Sequence, residues 1–169
     1  MNNTGMPEPL PGFDDPIGLL RACHDKMLAH CALLEQLLDT PDASTAQQVV
    51  RYFSTSATLH HRDEEEDLFP LINRQSMKIA ELVHQLRKQH EQLDQLWTAM
   101  APVLRSLPKD GFDAQFRARA SEFCALSREH IQRENREFLP LAASSLSRQQ
   151  LGVIGEKMAA RRGVRYSAL

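Results

Sequence analysis

The chain has 169 residues, 42% hydrophobic and 25% charged, which suits one soluble domain with a substantial core. A net charge of −2 gives no bulk attraction to nucleic acid or an anionic membrane, so neither is expected as a partner. The opening MNNTGMPEPLPGF lacks a secretion signal's basic and apolar regions, and no apolar run reaches the ~20 residues of a membrane span.

Residues 1–14 contain Pro7, Pro9, Pro11, Gly5 and Gly12, and are expected to form a flexible arm. Asp15 then caps a helix with Pro16 at its first position, and Ile17, Leu20, Met27, Leu28, Leu34, Leu37 and Leu38 recur at helical spacing until Thr40-Pro41. A second helix is predicted from near Ser44 past His60 towards Asn73, a third from about Ser76 to Leu107, and a fourth from about Asp113 to Ala143. Pro102 falls inside the third helix, and Pro70 and Pro140 near the ends of the second and fourth; each should kink its helix or mark its final turn. Ser147 and Gln150 form a capping-box pattern that starts a short fifth helix, ended by Gly163. No segment reads as a strand. The expectation is an all-α fold: an antiparallel up-down four-helix bundle over 15–145, with a short C-terminal helix and tail over 146–169.

An internal repeat carries the chemistry. Phe53, His60, Glu64, Pro70 and Leu71 recur as Phe123, His130, Glu134, Pro140 and Leu141, each offset by 70 residues. Upstream, His24-Asp25 and His90-Glu91 are offset by 66, as are Leu20-Arg21 and Leu86-Arg87. Residues four apart lie on one helix face, so His60 points with Glu64 and His130 with Glu134. His24 and His90 add one imidazole from each of the other two helices. Side chains on facing helices form metal sites in bundle cores. Four imidazoles and two carboxylates can hold two transition ions, each on two histidines, with the carboxylates bridging. That leaves room for an oxo or hydroxo bridge and an open position. The donor set suits iron and, less uniquely, zinc or manganese.

The repeat also sorts the neighbours. His61 aligns with Ile131, and Glu65 and Glu66 align with Asn135 and Arg136, so none of the three is expected as a ligand. The run from Asp63 to Asp67 reads as solvated surface with Glu64 as its one inward member. His30 and His84 lie six residues from His24 and His90, about 120° round the helix, and read as surface or supporting residues. Phe53, Phe123 and Trp97 read as core. Cys23, Cys31 and Cys124 have no CxxC spacing; they read as reduced, buried thiols of a cytoplasmic protein. Lys157, Arg161, Arg162 and Arg165 read as a complement to the last helix's dipole and a solvated tail.

The segments HHRDEEEDLFPL and HIQRENREFLPL, with His24 and His90, resemble the hemerythrin-like, HHE cation-binding domains over roughly residues 16–143. The resemblance implies an all-α bundle with a non-haem di-iron centre on His24, His60, Glu64, His90, His130 and Glu134. The oxygen-carrying hemerythrins place a histidine where Leu86 stands and an aspartate where Asn135 stands. The four-histidine, two-glutamate set looks more like bacterial di-iron proteins linked to nitric oxide stress and iron–sulfur repair. Those carry an additional N-terminal cysteine-containing domain that this chain lacks. The function expected is that of a di-iron protein meeting oxygen, nitric oxide or peroxide as a sensor, scavenger or iron handler. A di-iron enzyme reducing nitric oxide or peroxide is the first alternative. A zinc-bound or metal-free interaction bundle is the second.

Overall fold

The computed structural model describes residues 11–168, so most of the arm expected over 1–14 lies outside the described residues. Helix α1 is Pro16–Asp39. Helix α2 is assembled from Ala43–Ser54, Ser56–Arg62, a widened turn Asp63–Leu68 and Phe69–Ile72. Helix α3 is Met77–Ser106. Helix α4 comprises Ala114–Arg133, a second widened turn Glu134–Phe138 and Leu139–Ser145. Helix α5 is Arg148–Arg161. No strand occurs among the described residues.

The helix starts follow from local chemistry. The side chains of Asp15, Asp42, Ser76, Asp113 and Ser147 each accept a backbone N–H from the first turn of their helix, satisfying a donor that has no partner inside it. Ser147 and Gln150 complete the reciprocal capping box. Helix α3 stops at Leu107, and α5 gives way to Gly163 with positive φ, the region glycine enters without a Cβ clash. The run Ser54-Thr55-Ser56 interrupts α2: Thr55 leaves helical geometry while its hydroxyl donates to the Arg51 carbonyl.

Pro70 and Pro140 do more than kink their helices. A proline has no N–H, and its ring collides with the carbonyl four residues back. Each helix relieves the conflict by opening one wide turn ahead of it, in which Phe69 N–H donates to Glu64 O and Leu139 N–H to Glu134 O, five residues back. Both wide turns therefore begin at or beside the repeated glutamates. Pro102 sits one turn before the end of α3, which stays helical to Ser106.

Helices α1 to α4 pack neighbour on neighbour round a ring, α4 closing against α1, as an antiparallel up-down bundle. Two apolar clusters fill it. One joins the end of α1 (Met27, Cys31, Leu34, Leu37) to the starts of α2 and α4 and the latter part of α3. The other joins Ile17 and Leu20 to Leu68, Phe69, Leu86 and Phe138, and is covered by Ile154 and Met158 of α5. The carbonyl of Phe13 rests on Gly155, leaving no room for a Cβ there.

Two surface expectations are corrected. Asp63 and Asp67 are buried, not solvated. Helix α5 lies on this turn of α2, where Arg161 pairs with Asp63, Asp67 and Glu66, Arg162 with Asp63 at 2.7 Å, and Lys157 with Asp67 at 3.4 Å. Three of the four clustered cations thus pair with the acidic run, Lys157 from an exposed position; Arg165 is exposed and is not among its partners. A buried carboxylate without such partners would be strongly unfavourable, and sequence distance hid the pairing.

Candidate metal centre

Each of the four long helices contributes one polar step to an otherwise apolar inner face. His24 on α1, His60 and Glu64 on α2, His90 on α3, and His130 and Glu134 on α4 all lie at 4% exposure or less, between the two apolar clusters. The structure brings all six repeat-related residues together.

Their inner atoms converge. His24 Nε2 lies 2.7 Å from Glu134 Oε2, His60 Nε2 3.0 Å from Glu64 Oε1, His90 Nε2 3.3 Å from Glu64 Oε2, and His130 Nε2 3.0 Å from Glu134 Oε1. Among the described residues none donates a hydrogen bond to any of the four carboxylate oxygens, despite this crowding. The imidazoles pair as well: His24 and His60 face each other Nε2 to Nε2 at 3.1 Å, and His90 and His130 at 3.0 Å. Two sets of four donors result, His24, His60, Glu64 and Glu134 in one, and Glu64, His90, His130 and Glu134 in the other, with the carboxylates common to both.

The outer nitrogens fix the tautomers. His24 Nδ1 is 2.7 Å from Asn135 Oδ1, His90 Nδ1 is 2.8 Å from Glu65 Oε1, and His130 Nδ1 is 3.0 Å from Gln89 Oε1. Each partner atom is an acceptor, so Nδ1 carries the proton and Nε2 turns a lone pair inward. For His90 and His130, two lone pairs then oppose each other at 3.0 Å. Such an arrangement is repulsive unless a proton or a metal cation sits between them. The four unbonded carboxylate oxygens demand the same. The arrangement is a buried His/Glu cluster of a kind that can hold metal ions.

Electrostatics point the same way. Burial opposes charge on His60, but the Glu64 carboxylate outweighs it and holds the imidazole pKa well above its ordinary range. Burial likewise opposes charge on His90, while the neighbouring Glu64 and Glu65 carboxylates raise its pKa to about 9. Glu134 behaves conversely: burial disfavours its charge, but His130 pulls its pKa well below the carboxylate norm. The carboxylate pair draws positive charge into the layer.

Two residues set aside on the repeat alignment prove to be neighbours of the centre. His61 stacks on His90 with ring centroids 4.0 Å apart, and a nitrogen of its ring lies within 4.8 Å of ligand atoms of His90 and His130. Glu65 holds the outer nitrogen of His90 and is itself held by Arg87 Nε at 3.0 Å. The repeat offered a signal for this: residue 65 aligns with Asn135, which holds His24 in the same way. Residues 23 and 89 also correspond, and Cys23 lies beside the His60 ring as Gln89 lies beside that of His130.

The remaining candidates fall elsewhere. His30 stacks on Tyr52 and bonds the Lys26 carbonyl, while His84 is exposed. Phe53, Phe123 and Trp97 pack on one another in the first apolar cluster, as expected. The aromatic residue at the site is Phe69, stacked 5.8 Å from His90. Cys31 and Cys124 are buried; Cys23 is half-buried.

The family model of the hemerythrin HHE cation binding domain matches residues 15–142. An uncharacterized protein of Haemophilus influenzae is 29% identical over 167 residues, covering 94% of this chain and 96% of the relative. The chain belongs to the hemerythrin HHE family, and is a metal-binding protein of that family.

Proposed function

We propose that this member of the hemerythrin HHE family is a non-haem di-iron protein that engages a small ligand, namely oxygen, nitric oxide or peroxide, as a sensor, scavenger or iron handler. The ligands assigned are His24, His60, Glu64, His90, His130 and Glu134, within the bundle over 15–145. The observation that carries the reading is the pair of opposed Nε2 atoms on each side of two shared, unbonded carboxylates. Six protein donors are more than one ion needs, and their division into two sets of four supports two ions.

Imidazole and carboxylate donors together suit iron, and less uniquely manganese or zinc. Iron, when bound, supplies an exchangeable position for a diatomic or peroxide ligand.

The chain's own contribution is placement and exclusion. The acceptors Asn135, Glu65 and Gln89 keep the protons on Nδ1, so the inward nitrogens are ready to ligate. The two apolar clusters exclude water from both sides of the polar layer. Three free cysteines fit a reducing compartment such as the cytoplasm, and no helix of the described residues is long and apolar enough to cross a membrane.

The test is metal analysis with an optical spectrum on protein purified without added metal. Two iron ions per chain, with visible absorption that changes on adding oxygen, nitric oxide or peroxide to the reduced protein, are expected. Saturation at one ion, or a preference for zinc with no such absorption, would overturn the reading.

A further inference from the structure

The two halves of the repeat supply the same ligands but different supports. On one side His24 leans on the neutral amide of Asn135, while among the described residues His60 Nδ1 has no nitrogen or oxygen partner and the weakly bonding Cys23 thiol lies near the ring. On the other side His90 leans on the Glu65 carboxylate and His130 on Gln89, whose amide nitrogen donates in turn to Glu129 at 3.1 Å. His61 stacks on His90 there, while its counterpart on the first side, Ile131, belongs to an apolar cluster.

We propose that the two metal positions are unequal: the His90–His130 position fills first and holds its ion more tightly, and the His24–His60 position is the exchangeable one. The inference rests on the metal-binding reading above. A carboxylate behind an imidazole makes it a stronger donor and fixes its ring, and loss of such a support typically costs about 10–100-fold in metal affinity. Arg87 offsets part of the charge of Glu65, but it is 40% exposed and leaves the hydrogen bond to His90 intact. Both imidazoles of the tighter position are locked before the ion arrives. At the other position His60 is packed but no oxygen acceptor fixes the proton on its Nδ1, so the ligating tautomer is set only as the ion binds, which lowers the net gain. The two differences act in the same direction.

The experiment is a Co(II) titration of the metal-free full chain against a competing chelator, followed by visible absorption. Two binding steps at least about 10-fold apart are expected. Glu65→Gln keeps an acceptor but removes the charge, and should weaken the tighter step about 10-fold or more while leaving the weaker one in place. Asn135→Asp adds the missing charge on the other side and should strengthen the weaker step, a gain that misfolding cannot mimic. Two steps that are equal, or that neither variant separates or merges, would overturn the inference while leaving the two-ion reading standing. Failure of the unaltered chain to bind Co(II) would overturn both.

Discussion

The apolar clusters and the polar layer between them come from the same four helices, yet they meet opposite physical demands. Leu34 and Leu86 gain by leaving water, and do so wherever their faces meet. Glu64 and Glu134 lose by leaving water, and nothing among the described residues hydrogen-bonds to their oxygens. The apolar layers therefore hold the fold, and the polar layer is carried at their expense. A layer that disfavours folding by itself is stabilised by whatever cation binds only to the folded state.

That division can be broken from the apolar side first. Leu34→Ala, in the cluster away from α5, should destabilise the protein by about 2–5 kcal/mol in denaturant unfolding, while metal bound per folded chain stays the same. A parallel loss of metal would show that the layers are not separable.

From the polar side, His60→Ala or Glu134→Ala should remove most of the bound metal, as measured by metal analysis after desalting. His30→Ala should not, since its ring stacks on Tyr52 away from the centre. Chelating the unaltered protein should lower its stability by about 2.7 kcal/mol per site, for ions held at 100-fold above Kd. That is roughly a 5–10 °C fall in Tm per site for a chain of this size. An unchanged Tm on chelation would mean that the six side chains do not act as a metal site.

A third region sharpens the contrast, because it is polar and buried yet fully paired. Arg161→Ala leaves Asp63 with Arg162 alone and Asp67 with Lys157 alone. A loss of about 1–3 kcal/mol is expected, with bound metal reduced less than in the ligand variants. Equal loss of metal would show that the clamp on Asp63 also positions Glu64.

The smallest effect belongs to the surface. Arg128 bonds Glu35 through both guanidinium nitrogens at 2.7 Å and lowers the carboxyl's pKa. A depressed carboxylate pKa stabilises the fold above the unfolded value and is lost as pH falls through the folded one. Glu35→Gln should therefore cost about 0.2–1 kcal/mol at neutral pH and nothing below the folded pKa, since the pair is about half exposed. A cost that persists in acid would assign Glu35 a role other than the ion pair.

The residues that could be read in advance are those tied to local rules or to the repeat. Helix starts at Asp15 and Ser147, the end at Gly163, and the convergence of His24, His60, Glu64, His90, His130 and Glu134 follow from capping chemistry, 3.6-residue periodicity and the 70- and 66-residue offsets. These depend on neighbours along the chain or on duplication, and both are written in order. What only the tertiary structure decided involves residues that differ between the repeats or meet across helices. Alignment with Ile131 and Asn135 argued against His61 and Glu65, but side-chain reach across to α3 places both against His90. Asp63 and Asp67 read as surface until α5, some 95 residues later, covered them with arginines. The wide turns at Glu64 and Glu134 come from prolines six residues on, and only the folded backbone shows whether such a helix kinks, stops or widens. Charge pairs and second contacts act through space, where sequence separation carries no information about distance.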